Sequence, residues 1–274
     1  MIALVTGPTS GIGLEIAREL AAGGAQLVLA CRDVAKGESV AGELRRLGSP
    51  DVMVMGFDAA SAPSIAALAR ACAADLPRVD VLVNNAGLAS GQRRVTSDGY
   101  ELTFATNVLG YHRLSLAMLD QLRARAPARI VTVASTFAGD LDLDDLQFER
   151  RPYQELQAYA QSKACNRLLT WALARRLTGT GVTANAMAPG FVPSTGLARG
   201  LTPDTQRAYA GRSGRTVKDG ADTAVWLAAS PDVNGVNGQF FFDRRERPCE
   251  FRNQATEEQL WRMVTPEGTP GAGR

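Results

Sequence analysis

Tyr159 and Lys163 stand four residues apart in a strongly helical stretch, so their side chains share one face. A phenol with a pKa of ~10 moves few protons near neutral pH unless that value falls. An ammonium at ~4 Å is worth roughly 4 kcal/mol at an effective dielectric of 20, about three pKa units. The pair is therefore a sufficient proton donor and acceptor. It stands in a chain with a single histidine, His112, which leaves little room for zinc sites or Ser-His-Asp triads. A Tyr-x-x-x-Lys pair is common on helix surfaces. What marks this one is its company: Ser135 at the end of an apolar run and Asn107 within a long helical segment, the stations of a carbonyl clamp and a proton relay.

A second constellation lies near the N-terminus. Thr6-Gly7-Pro8-Thr9-Ser10-Gly11-Ile12-Gly13 follows the first apolar run and opens the first helical segment. Glycines at 7, 11 and 13 allow a tight turn with no Cβ to block a pyrophosphate resting on helix N–H groups. This is the strand–turn–helix setting a dinucleotide fingerprint requires. About 20 residues on, where an acid would hold the ribose of NAD, stands Ala30-Cys31-Arg32-Asp33. Arg32 suits a 2′-phosphate through its fork of donors, although an Arg32–Asp33 pair can also be merely solvated, and Asp33 keeps NAD open. The reading is NADP(H). Asp58, followed by Ala59, either accepts from the adenine amino group or serves as a turn carboxylate. Asn84-Asn85-Ala86-Gly87 ends a strand where open α/β folds bind ligands; its amides could equally satisfy loose backbone groups. The expected cofactor contacts here are Gly7, Thr9, Ser10, Gly11, Ile12, Gly13, Arg32, Asp33, Asp58, Ala59, Asn85, Ala86 and Gly87. No metal site is expected.

Short apolar runs at Ile2–Thr6, Gln26–Cys31, Val52–Phe57, Val79–Asn84, Arg129–Ser135, Val182–Pro189 and Gln239–Phe242 read as buried strands. Helical segments lie between them near 12–23, 34–47, 61–75, 98–124, 153–178 and 216–229, and Pro63 after Ser61 suits a helix start. The alternation implies one α/β, doubly wound Rossmann-type domain: seven parallel strands with helices on both faces. The expected domain spans 1–242, and 243–274 is a tail with a possible helix near Thr256–Val264 and a frayed end at Pro270–Arg274. Segments 136–152 and 191–215 break the pattern and read as functional loops.

The 274 residues carry 30 Lys+Arg against 28 Asp+Glu, a net +2 without the basic stripe of a nucleic-acid binder. No apolar run approaches the ~18 residues of a membrane span, and Met1–Thr6 has no cationic leader. Four scattered cysteines suit a reducing, cytoplasmic compartment. His112 reads as an interface or surface residue, Cys165 as small and buried, Trp171 and Trp226 as core. Trp261 reads as docking over the substrate mouth or a partner chain. Arg199, Arg207, Arg212 and Arg215 read as a solvated loop face or as neighbours of an anionic substrate group.

In Thr6-Gly7-x-x-x-Gly11-Ile12-Gly13, Asn84-Asn85-Ala86-Gly87, Asn107, Ser135, Tyr159-x-x-x-Lys163 and Pro189-Gly190, the chain resembles the short-chain dehydrogenase/reductase family over about residues 1–245. Ala30–Asp33, Thr106-Asn107-Val108-Leu109-Gly110 and Asp145-Leu146 look like the retinol-dehydrogenase-like branch, mostly NADP-dependent. Tyr159–Asn166 and Pro189–Leu197 also look like light-dependent protochlorophyllide reductases, without room for their long insertion. A membrane anchor common in the retinol enzymes is not seen. The resemblance implies hydride transfer between NADPH and an apolar ketone or aldehyde, or the matching alcohol. It implies that Tyr159 donates the proton, Ser135 binds the carbonyl oxygen, Lys163 holds the nicotinamide ribose and Asn107 fixes a water linking Lys163 to solvent. Pro189, Gly190 and Val192, with Ser194 or Thr195, would close over the carboxamide; Thr195 is the one carried forward. It also implies a homodimer through the long fourth and fifth helices. A silent NADP-binding sensor or scaffold, and an epimerase or dehydratase on the same fold, are the competing readings. The tuned phenol disfavours the first and the chain length the second.

Overall fold

Strand β1 (Ile2–Thr6) is buried at every residue, yet its side chains still alternate. Ile2 and Leu4 enter one core, and Ala3 and Val5 enter the other. A strand apolar on both sides needs helices above and below it, and the computed structural model, which describes residues 1–124 and 126–265, supplies them. After β1 come α1 (Gly11–Ala22), β2 (Gln26–Cys31), α2 (Val34–Leu47), β3 (Val52–Gly56), α3 (Ala62–Asp75) and β4 (Val81–Asn84). Then follow α4 (Leu102–Phe104), a π-helical turn at Ala105–Leu109, α5 (Gly110–Ala117), α6 (Leu119–Arg123), β5 (Ala128–Val133) and α7 (Glu155–Arg176). The chain continues through β6 (Val182–Met187), α8 (Pro203–Tyr209), α9 (Val217–Ala229), β7 (Phe240–Phe242), β8 (Arg245–Glu246) and α10 (Gln254–Val264).

The sheet runs β3-β2-β1-β4-β5-β6-β7-β8. Helices α1, α2 and α9 cover one face, and α3, α5 and α7 the other. The strand order reverses between β1 and β4, and a crevice outside their carboxyl ends is the place such folds bind ligands. Local signals explain the starts. The Asp33 carboxylate caps α2 by accepting from Lys36 N, and Ser61 caps α3 ahead of Pro63.

Four expectations need correction. The sheet has eight strands, because Asp243 and Arg244 both adopt positive φ (52° and 56°) and fold the chain back. Two such residues make the tight reversal that joins antiparallel strands, so β8 pairs antiparallel with β7. The segment 98–124 is not one helix. It starts at Leu102, where the Glu101 carboxylate accepts from Thr103 N and Phe104 N, and it passes through the π-turn before α5. His112 is buried, with its ring edge-on to Trp261 at 4.6 Å and its Nε2 2.7 Å from Thr265 Oγ1. Burial pushes its pKa down to about 3, so it carries no charge near neutrality. Trp261 belongs to the same contact, packing under the Arg176 guanidinium of its own chain rather than over the substrate mouth.

Helix α7 is buried on nearly all sides from Ala158 to Ala174, because α10 lies along it. Arg175 pairs with Glu257 and Glu258, Arg176 pairs with Glu258, and Arg252 stacks on Trp171 at 4.7 Å. The expected fraying at Pro270–Arg274 lies outside the described residues.

Candidate active site

The turn between β1 and α1 is held in shape from β4. The Thr6 hydroxyl accepts from Asn85 N and Ala86 N, and the Asn85 amide donates to Thr6 O at 2.9 Å. Gly7 and Gly11 take φ of 64° and 55°, the left-handed region. A Cβ at Gly13 would lie 2.2 Å from Gly7 O and 2.3 Å from Asn85 Nδ2, so only glycine fits. Ser10 makes no side-chain cap to α1, which leaves the first N–H groups of that helix for an anion. Thr9 and Ile12 flank the turn, half-buried. Thr195 approaches from the opposite loop, its methyl 3.5 Å from a Cβ placed on Gly11, while Ser194 is exposed.

At the end of β2, Arg32 is exposed and no carboxylate lies within 4 Å of it among the described residues. Asp33 beside it is spent on capping α2. The Asp58 carboxylate accepts from Ala60 N through Oδ1, as a turn carboxylate does, with Oδ2 left for an adenine amino group, and Ala59 O packs against Gly110. Asn84 donates to Ser115 Oγ at 2.8 Å. A turn that only glycine can form, an uncapped helix start and a free guanidinium make a cradle that fits the phosphates of a nicotinamide dinucleotide.

The chemical end faces the same edge. Ser135 lies two residues beyond β5, and its Oγ accepts from Phe137 N at 3.0 Å, which leaves its proton free to donate. Its carbonyl accepts from the buried Arg167 guanidinium. Tyr159 projects from the first turns of α7. Burial pushes its pKa up to about 12, the Ser135 hydroxyl pulls the other way, and the Tyr209 phenol adds to the rise. Lys163 donates to Val133 O at 2.9 Å, and its Nζ lies 5.7 Å from the Tyr159 ring centre. Burial brings its pKa down to about 7. The expected three-unit fall of the phenol is thus absent in the free chain. The reason is desolvation: two groups buried together each resist charging, and a lysine that tends to be neutral depresses little.

Asn107 sits in the π-turn, a common place for functional residues. Its Oδ1 accepts from Leu88 N, and its Nδ2 donates to Leu88 O and Ser162 Oγ, at 2.9, 2.9 and 3.0 Å. Its main-chain oxygen accepts from Asn166 Nδ2 at 2.7 Å. It therefore clamps the loop after Gly87 onto α7, and its two carbonyl oxygens each keep a lone pair that can accept from a water. Pro189 and Gly190 end β6, with Arg215 packed over Gly190, and Val192 is buried beside them. A hollow of about 380 Å³ lined by Tyr100, Arg113, Leu143 and Met263 contains none of these groups.

Residues 1–206 match the family model of the short chain dehydrogenases. The chain belongs to that family. Human retinol dehydrogenase 14 is 37% identical over 95% of this chain and 83% of its own length. Mouse retinol dehydrogenase 12 is 36% identical over 96% and 84%. A Beutenbergia cavernae structure, provisionally assigned as an NAD(P)-dependent gluconate 5-dehydrogenase and holding NADP at low occupancy, superimposes with a TM-score of 0.69. It is 32% identical over 88% of this chain and 93% of that one. These likenesses place the short-chain dehydrogenase described here in the retinol-dehydrogenase-like branch.

Two tyrosines of this dehydrogenase escape the sequence reading. Tyr209, in the loop 191–215, reaches close enough to Tyr159 to bias its ionisation. Tyr111, one turn beyond Asn107, is buried with its ring centre 5.2 Å from Lys163 Nζ. The available signal was spacing: a hydroxyl four residues from a presumed relay residue on one helix.

Proposed function

We propose that this chain is an NADPH-dependent oxidoreductase of apolar ketones or aldehydes, and of the matching alcohols in reverse. The observation that carries the reading is the meeting of Tyr159, Lys163 and Ser135 at the sheet edge that also bears the glycine turn. Bound NADPH supplies the hydride. Tyr159, protonated up to about pH 12, stands ready to donate to the carbonyl oxygen. Ser135 donates a hydrogen bond to the same oxygen and stabilises the developing alkoxide. Lys163 would orient the ribose hydroxyls of the bound cofactor, and Pro189, Gly190, Val192 and Thr195 would hold its carboxamide.

The mouth supports an apolar substrate. Phe137 is 50% exposed and Phe191 37%, and the Phe191 ring centre lies 5.5 Å from that of Tyr209. Relatives named for retinol point to the same class. The unpaired Arg32 and the committed Asp33 favour NADP over NAD. Free cysteines support a cytoplasmic setting, and no described helix is long and apolar enough to cross a membrane. A homodimer through α5 and α7 would have to form on whatever surface α10 leaves open, and sedimentation velocity reads that state.

Tyr159→Phe is expected to cut NADPH oxidation over a carbonyl panel by about 10²- to 10⁴-fold while leaving NADPH binding nearly unchanged. Full activity would remove the phenol from the mechanism, and NADPH binding without turnover of any carbonyl by the parent chain would point to a sensor. Arg32→Ala is expected to raise KM for NADPH by roughly 10- to 100-fold, as the loss of charge-assisted bonds worth ~1.5–3 kcal/mol implies. KM for NADH should hardly move, and equal changes would refute the NADP assignment.

A further inference from the structure

Arg175 and Arg176 of α7 reach the carboxylates of Glu257 and Glu258, but Arg167 on the same helix reaches none among the described residues. Arg167 is 6% exposed. Its guanidinium carbon lies 3.7 Å from the Phe240 ring centre and 5.4 Å from that of Phe251. Nη1 meets the Cys249 sulfur at 3.7 Å, Nε has no partner, and Nη2 donates to Ser135 O. Burial pulls its pKa down while the Cys249 thiol pulls it back up, and a guanidinium stays charged in a protein. A buried charge without a counter-charge costs stability, and an apolar side chain between two phenylalanine rings would avoid that cost. The charge therefore calls for a use.

Its bond to Ser135 shows the use. Lys163 and Arg167 stand one turn apart and share a face of α7. They donate to the carbonyls of Val133, the last residue of β5, and of Ser135, two residues on. Two residues of strand rise ~6.6 Å and four of helix ~6 Å, so the two rows of groups stay in step. Between them Ala134 N donates to Met187 O at 2.8 Å. The chain is thus pinned at three successive residues, the last of which bears the hydroxyl. We propose that Arg167 is a positioning residue for Ser135: its buried charge holds the Ser135 peptide so that the hydroxyl meets the substrate carbonyl beside Tyr159. The proposal rests on the oxidoreductase reading of the same site. Arg167 acts through Ser135 rather than on the substrate. The Ser135 hydroxyl also bears on the Tyr159 phenol, so a shift of that peptide misaligns both donors.

Arg167→Met keeps apolar packing between Phe240 and Phe251 and removes the charge, whereas Arg167→Lys keeps a charge. For Arg167→Met the expected kcat of carbonyl reduction falls about 10- to 100-fold. Carbonyl KM and NADPH affinity stay within about twofold, and Tm stays the same or rises. Arg167→Lys recovers part of the lost kcat. Ser135→Ala is slow by itself, and adding Arg167→Met to it should cost less than about twofold more, because both changes act through one hydroxyl. Parental kcat in Arg167→Met would overturn the proposal. So would a clear fall in its Tm, a lysine variant no faster than the methionine one, or full additivity with Ser135→Ala. Each gives the guanidinium a role other than holding Ser135. Tyr159→Phe run in parallel separates the layers. If it stays active, the oxidoreductase reading has failed; if it is inactive while Arg167→Met behaves as the parent, only the positioning role has failed.

Discussion

On the side of β1 to β4 the crevice is shaped by main chain, whereas on the side of residues 136–152 and 191–215 it is shaped by side chains that fasten loop to loop. The first wall consists of Gly7, Gly11 and Gly13, of N–H groups at the start of α1, and of an Asn85 amide that reads carbonyls. Apart from the Arg32 guanidinium, this wall offers a ligand atoms that every residue carries, so residue types there matter mainly where they keep side chains out. The second wall depends on particular pairs. Glu155, on α7, accepts from Thr202 N and Thr202 Oγ1 at 2.7 Å each and from Thr205 Oγ1. Tyr153 donates to Ser90 O at 3.1 Å. Asp145 gathers the N–H groups of Glu149, Arg150 and Arg151. A wall of main chain and a wall of side-chain fasteners should fail differently.

The sharpest break is Gly13→Ala. A methyl 2.2 Å from a backbone oxygen cannot be accommodated by a rotamer change. Loss of at least about 4 kcal/mol of stability and of measurable NADPH binding is expected, and calorimetry with NADPH titration reads both. A stable variant that binds NADPH would mean the first wall yields as loops do. Glu155→Ala tests the other side. Freeing the 191–215 loop should raise the carbonyl KM about tenfold, some 1.4 kcal/mol, and lower NADPH affinity by much less, through Val192 and Thr195 of the same loop. A matching loss of NADPH affinity would show that the two walls act as one unit.

This contrast also explains what the sequence makes legible. Seven strands and the order of helices follow from apolar runs and spacing, because a doubly covered sheet leaves few alternatives for Ile2–Thr6 or Gln26–Cys31. The glycine turn, Ser135, Tyr159 and Lys163 are legible because close approach and shared helix faces are local properties. The eighth strand is not, since Asp243-Arg244 lacks the Asn-Gly signature of its turn. Nor is the depressed lysine, because desolvation depends on neighbours from β5 and α5 that no local window contains. The partners of the Asn107 amide are not legible either, since it goes to Leu88, nineteen positions away. His112 and Trp261 escape for the same reason, being joined across 149 residues by α10.

The mildest expected effect concerns α10, which belongs to neither wall and covers α7 from behind. Glu258 has its pKa brought down to about 2 by hydrogen bonds from Arg176 and then Arg175, together with their charges. A carboxylate whose folded pKa lies below its unfolded value of ~4.3 adds stability that is present above that value. The contribution is lost as pH falls toward 2, since the unfolded chain takes up the proton first. The pair is partly exposed, so solvent screening keeps its worth near ~1 kcal/mol. Glu258→Gln should lower Tm by a few degrees at pH 7 and by much less at pH 3, with NADPH affinity and turnover unaffected. A variant that loses NADPH affinity would tie α10 to the crevice through α7, and the division between cofactor wall and covering helix would then be wrong.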